Sequence, residues 1–306
     1  MTAPRDLGTA RLALDARALL GECPRWSARE SRLWWADIAG LALHRFDPAT
    51  GRDERWAMPS EPGCFALARA GGLVVAMRTG FHRFDADRGT LEPIAPAPFD
   101  PRDFRFNDGR CDARGRFYAG AMFEPRTEER AAMFCLERGR VREAWGPAQG
   151  LGVKVSNGLA FAEDGRSLLQ ADTPNHVIWR FDYHEAAGTV SNRRAFARVP
   201  ADRESPGYGG RPDGACFDAE GFCWSAQYEG GRVLRFAPDG TVDAVVRVPV
   251  RRPTMVAFGG PRLATLYITT AREGAGSAEL AEFPLAGSLF AIETGHTGLA
   301  EPDYAD

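Results

Sequence analysis

The chain has 306 residues, a net charge of −3 and a pI near 6.0; it offers no basic field for nucleic acid, and its Arg and Asp residues are scattered rather than blocked. No apolar run approaches the roughly 18 residues of a membrane span, and the opening Met-Thr-Ala-Pro-Arg-Asp lacks the apolar core of a signal peptide. The expectation is a soluble, cytoplasmic protein with neither a nucleic-acid nor a membrane partner.

In chain order, Thr9-Ala-Arg-Leu-Ala-Leu14 reads as a strand, and six copies of one pattern follow. Each copy opens with strand, tight turn and strand. These pairs begin at Cys23, Phe65, Arg110, Gly158, Gly214 and Met255 and run to Ile38, Met77, Gly120, Gln170, Trp224 and Ile268. An aromatic strand ends each copy, as in His44-Arg-Phe-Asp47, His82-Arg-Phe-Asp85 and Trp179-Arg-Phe-Asp182. The marker phenylalanines at 46, 84, 134, 181, 236 and 290 are 38, 50, 47, 55 and 54 residues apart. A step of about 40 to 55 residues carrying four strands is the size of one propeller blade.

The expected fold is therefore all-β, a six-bladed β-propeller of four-stranded antiparallel blades, with residues 1–306 as one domain. Short runs of β-branched and aromatic residues bounded by Gly, Asp and Pro turns recur throughout, with no long amphipathic helix. The 34 glycines and 21 prolines suit many tight turns, and 44% hydrophobic residues supply several inter-sheet cores. A ring must close, and the 9–14 stretch is placed to complete the last blade beside Leu289-Phe-Ala-Ile292, hiding edges that invite aggregation.

Counting back five residues from each turn (Ser27, Arg69, Asp112, Ala162, Asp218 and Gly259) gives Glu22, Cys64, Asn107, Asn157, Asp213 and Thr254. The innermost strand of each blade lines the central channel, so these residues form a ring at one mouth. Two carboxylates and two amides there supply only oxygen ligands, which suit a hard or borderline divalent cation. Asn157-Gly158 and Asp213-Gly214 also read as turn dipeptides, but each precedes a strand instead of linking two, and crowded carboxylates need a partner. Arg105, two residues before Asn107, is a candidate to hold the oxygens of a polar ligand; its bland reading is a surface arginine paired to Asp103 or Asp108. Asp37, Glu124, Asp172 and Gln227, where the second strands end, are candidate rim groups.

The histidines at 44, 82, 176, 184 and 296 lie away from the ring, which argues against a His-metal site and a Ser/His/Asp triad. No nucleophile elbow, phosphate-cradling loop or dinucleotide fingerprint is present. The six cysteines at 23, 64, 111, 135, 216 and 223 sit mostly in apolar strands without metal-ligand spacing. They are expected to be free thiols that ligate no metal, Cys216 and Cys223 being the one pair that a hairpin brings near.

Leu20-Gly-Glu-Cys-Pro-Arg-Trp26, Arg105-Phe-Asn-Asp-Gly109, Gly115-Arg-Phe-Tyr-Ala-Gly-Ala-Met122, Val155-Ser-Asn-Gly-Leu159, Ala171-Asp-Thr-Pro174, Pro212-Asp-Gly-Ala-Cys216 and Arg252-Pro-Thr254 resemble, collinearly, the senescence-marker-protein-30 (regucalcin), gluconolactonase and luciferin-regenerating-enzyme family. The resemblance implies a propeller with a central metal site, one divalent cation (Ca, Mg, Mn, Fe or Zn) held by Glu22, Asn157 and Asp213. It also implies hydrolysis of a sugar lactone to the sugar acid. Arg105 and Asn107 would contact substrate, with Glu124 as a further contact, and Asp213 would transfer the proton. Pro125 stands where the family commonly carries a second acid.

A cation that polarises the lactone carbonyl stabilises the oxyanion formed when water attacks; Asp213 and the cation's own water are the two candidate bases. Two rival readings are a promiscuous metal-dependent esterase or phosphotriesterase, and a non-catalytic metal-binding propeller. The expected partner is a small-molecule sugar lactone, and the expected assembly a monomer or weak homo-oligomer.

Overall fold

A computed structural model describes residues 3–306. Six sheets surround a channel, and in each the first strand of the blade is innermost. The inner strands are Gly21–Ser27, Pro62–Leu67, Phe104–Cys111, Ser156–Phe161, Arg211–Phe217 and Pro253–Gly259, and each touches the inner strand of both neighbours, which closes the ring. All six marker phenylalanines lie on third strands and are buried.

The cores lie between blades, because each sheet is apolar on both faces near the channel. Phe81 of the second blade meets Phe106 and Phe117 of the third, Trp145 of the third meets Phe181 of the fourth, and Trp224 of the fifth meets Phe258 of the sixth. Each fully buried aromatic of this kind contributes about 1.5–3 kcal/mol through lost water contact.

Closure departs from expectation in its boundaries. Arg11–Leu14 does pair antiparallel with Leu289–Glu293, as the fourth strand of the last blade. Thr9, however, ends a separate strand, Arg5–Thr9, that runs parallel to Val242–Arg247 and gives the fifth blade a fifth strand. One N-terminal segment thus spans two blades across the seam. The one α-helix among the described residues is short, Ser277–Glu282, between the second and third strands of the sixth blade. No helix among the described residues is long and apolar enough to cross a membrane.

The C-terminal tail crosses the channel at the end away from the ring. Gly298 bridges to Asp218 of the fifth blade, Glu301 pairs with Arg25 and Arg110 of the first and third, and Tyr304 pairs with Ala68 beside the second.

Candidate metal and substrate site

The inner strands are not regular where the ring residues fall. A register shift lies at or beside the ring position in every blade, between Glu22 and Arg25, Pro62 and Cys64, Phe106 and Gly109, Asn157 and Ala160, Pro212 and Ala215, and Pro253 and Met255. Bulges re-aim side chains, and here they recur six times around one axis. Asn157-Gly158 and Asp213-Gly214 therefore lie inside strands, correcting the expectation that they precede them. Gly158 takes a left-handed φ of 55°, and a Cβ there would stand 2.7 Å from the carbonyl oxygen of Asp213. Only glycine lets the fourth and fifth blades approach so closely.

Glu22, Arg105, Asn107, Glu124, Asn157 and Asp213 all line one cavity of about 500 Å³, within the usual size range of small-molecule pockets, about 300–1,000 Å³. All but Glu124 are buried. Hydrogen bonds fix the amides. Thr173 donates from Oγ1 to the carbonyl of Pro212 at 2.8 Å, so toward Asn157 the hydroxyl must accept, and Asn157 Nδ2 donates to it at 2.8 Å. Asn157 Oδ1 then faces the other way and accepts from Asn107 Nδ2 at 2.7 Å, keeping a second lone pair. Asn107 Nδ2 also donates to the Ser156 carbonyl, and its Oδ1 accepts from Arg105 Nη1 at 2.8 Å. Arg105 is thus buried and bonded to Asn107 and the Phe106 carbonyl, not a surface arginine.

The carboxylates are less satisfied. Among the described residues, Asp213 Oδ1 is buried with no hydrogen-bond partner, and Glu22 accepts only from the Cys23 amide. Burial pushes the Asp213 carboxyl up to about 8, against the pull of Arg211. Burial, then repulsion from Asp213 and Asp108, pushes Glu22 well above the carboxylate range. Among the described residues no group of three or more His, Cys, Asp and Glu is placed to hold a metal; this set has two carboxylates, its other oxygens being amide. Two repelling carboxylates, one orphaned oxygen and an amide oxygen with a spare lone pair fit a divalent cation as ligand donors.

The rim divides. Glu124 lines the cavity, clamped by Arg78, whose guanidinium also holds Glu61; these bonds hold the Glu124 carboxyl below its usual range. Asp37, Asp172 and Gln227 do not line it. Asp37 accepts the amides of Leu19, Leu20 and Gly40, Asp172 those of Lys154 and Val155, and Gln227 bonds to Ser225. Carboxylates at strand ends are consumed by backbone N–H groups the turn leaves unpaired. Cys64 falls in the ring as expected, and all six thiols are free and buried. Cys216 and Cys223 are not directly opposed, since Cys216 faces Trp224 and Cys223 faces Phe217.

The sequence reading took Asp108 only as a surface partner for Arg105, whereas it is buried and accepts the amides of Gly109 and Leu159, and it missed the Thr173 hydroxyl. It also missed a second tier. Strand side chains repeat every two residues, and two positions before Asn107, Asp213 and Thr254 stand Arg105, Arg211 and Arg252, all lining the cavity. Stepping the register back by two was the available signal.

A family model described as SMP-30/Gluconolactonase/LRE-like region matches residues 20–272. A 6-deoxy-6-sulfogluconolactonase of Pseudomonas putida is 44% identical over 299 residues, covering 97% of this chain and 99% of that protein. A pentonolactonase of Haloferax volcanii is 35% identical over 300 residues, covering 96% and 97%. A crystal structure of a calcium-binding protein, regucalcin, from Agrobacterium tumefaciens superposes with a TM-score of 0.91 at 25% identity, covering 99% of both chains. The chain belongs to the SMP-30/gluconolactonase/LRE-like family.

Proposed function

We propose that this protein is a divalent-metal-dependent lactonase that opens a sugar lactone to the sugar acid, with Glu22, Asn157 and Asp213 holding the cation. The observation that carries the reading is the pair of buried carboxylates, one with an oxygen that has no partner among the described residues, beside the Asn157 amide oxygen, which keeps a spare lone pair. The lactonase relatives support the reaction class, and the calcium-binding relative supports a divalent ion. When bound, the cation would polarise the lactone carbonyl and stabilise the developing oxyanion.

This chain's own residues supply the rest. Arg105, tied to Asn107, presents fixed donors to the sugar oxygens, while Asn107, whose Nδ2 is spent on Ser156 and Asn157, sets the position of both neighbours beside the substrate. The Asp213 carboxylate takes a proton from the attacking water. The C–O bond of the lactone breaks as the water oxygen bonds the carbonyl carbon, and the proton passes to the departing ring oxygen, leaving a hydroxy acid. Glu124 and Glu61, held by Arg78, form a polar wall suited to hydroxyl groups. Polar groups make up most of the cavity lining, which favours a sugar over an apolar ester or organophosphate.

The test is a pH-indicator assay on a panel of aldonolactones, with metal-stripped protein to which Mg²⁺, Ca²⁺, Mn²⁺, Fe²⁺ or Zn²⁺ is restored separately. The 6-deoxy-6-sulfogluconolactonase relative places 6-deoxy-6-sulfogluconolactone on the panel. Hydrolysis of at least one lactone, lost on stripping and regained with one ion, is expected. Full activity in the stripped protein removes the metal from the reading, and no hydrolysis of any lactone removes the reaction.

A further inference from the structure

The three arginines of the second tier are not equivalent. Arg105 is bonded to Asn107 and a backbone carbonyl. Arg252 is held by the carbonyls of Glu273 and Gly274 and by the Glu279 carboxylate. Arg211 has one polar side-chain partner among the described residues, Glu229 Oε2 at 3.3 Å, and its guanidinium lies 5.2 Å from the centre of the Tyr228 ring. Its Nε, like that of Arg252, is buried and makes no hydrogen bond among the described residues. Glu229 is already shared, because Arg203 donates to both its oxygens at 3.1 and 2.9 Å and Tyr208 donates its hydroxyl at 2.9 Å.

One carboxylate thus faces two guanidiniums, and this stretch of wall carries a surplus positive charge. On the opposite wall Arg78 and Arg105 already have Glu61 and Glu124 as partners, with Arg126 beside them at the mouth. A neutral sugar needs donors and acceptors in similar number and gains nothing from a surplus cation. A guanidinium held over an aromatic ring, with donors unused, is suited to an oxyanion.

Resting on the lactonase reading, we propose that Arg211, over the Tyr228 ring and backed by Arg203, is the subsite for an anionic substituent at the end of the lactone remote from its carbonyl. Arg211 lies two residues along the inner strand from Asp213, about 6–7 Å toward the mouth. The carbon chain of a hexonolactone bridges such a span when its carbonyl sits at the ring. Sulfonate, phosphate and carboxylate share the required chemistry, and the substrates tested separate them.

The experiment measures kcat/KM of the metal-loaded protein for gluconolactone and its 6-sulfo, 6-phospho and 6-carboxylate counterparts. The parent and the variants Arg211→Gln, Arg203→Gln and Arg126→Gln are compared, Arg126 lining the same mouth. At least one anionic lactone is expected to exceed gluconolactone tenfold or more. Arg211→Gln is expected to cut that ratio about tenfold, mainly through KM, and Arg203→Gln less. Ratios near one for all three anions overturn the subsite. So does an Arg211→Gln protein that loses neutral and anionic substrates equally, or a ratio that collapses only in Arg126→Gln. If no lactone is hydrolysed, calorimetry with 6-sulfogluconate, 6-phosphogluconate, glucarate and gluconate decides the subsite alone. Tighter, Arg211-dependent binding of one of the first three keeps it while the lactonase reading falls, and equal binding of all four ends it.

Discussion

Asp213 and Arg105 face one cavity yet act differently, and single substitutions separate them. Asp213→Asn keeps the shape but removes a charged ligand and the group assigned to proton transfer, so turnover is expected to fall by about 10²–10⁴-fold, with weaker cation binding. Arg105→Ala removes an orienting cation; KM should rise about tenfold or more while cation affinity, measured by calorimetry, stays near that of the parent. Equal loss of metal in both proteins would show that Arg105 is misassigned. Cys64 occupies a ring position beside these oxygens, but burial drives its thiol well above the usual range, so it stays protonated and a poor ligand. Cys64→Ser should leave cation affinity within about threefold, and the denatured, unreduced protein should titrate six thiols, as all six are free; four would reveal a disulfide. Thr173 shows where sequence reading stops at this scale. Its residue type says nothing of its role, which follows from a hydroxyl that must donate to Pro212 and hence accept from Asn157.

At the scale of the strand, the repeat was legible because each blade must place an aromatic on its third strand to fill the space between sheets. The ring position was legible because it recurs in register. What the repeat hid were the bulges, since an extra residue leaves no mark on the alternation of apolar and polar residues when a whole strand is buried. Strand ends were hard to read for another reason: a carboxylate there serves unpaired backbone amides as readily as a ligand, as Asp37 and Asp172 do. The N-terminal segment was half legible. Its second strand, Arg11–Leu14, carries the expected pairing, whereas Arg5–Thr9 is polar and attaches by parallel backbone bonds, with Asp6 reaching Arg247. Because this segment joins the fifth and sixth blades to one chain end, removing the residues before Asp15 exposes two sheet edges at once. The truncated protein is expected to melt about 5 °C or more below the parent, on the order of 2 kcal/mol for a chain of this size, and to aggregate on size-exclusion chromatography. An unchanged melting temperature would mean that the seam holds without this clasp.

Along the axis of the whole molecule, charge alternates. An arginine tier at the mouth is followed by the tier holding Glu22 and Asp213, then by buried Asp108, then by Arg25 and Arg110, which the tail residue Glu301 neutralises. The lower arginines offset Asp108, whose carboxyl burial raises and Arg25 and Arg110 pull back; burial leaves the carboxyls of Glu22 and Asp213 raised, although Arg105 pulls on both and Arg211 on Asp213. Stability of the metal-free protein should therefore depend on pH in a defined direction. In the unfolded chain an aspartate loses its proton near pH 4, whereas in the fold Asp213 holds it up to about 8. Between these values the native state binds more protons than the unfolded one, so stability falls as pH rises through the window. A divalent cation replaces those protons and should stabilise more at the upper end than at the lower. Thermal unfolding of stripped protein from pH 5 to pH 8 is expected to show a falling melting temperature. Saturating cation should raise it by about 5 °C or more at pH 8 and by clearly less at pH 5. Asp213→Asn, which cannot take up that proton, should flatten the metal-free profile. A metal-free melting temperature that climbs across this window, or a cation effect equal at both ends, would place the cation away from these two carboxylates.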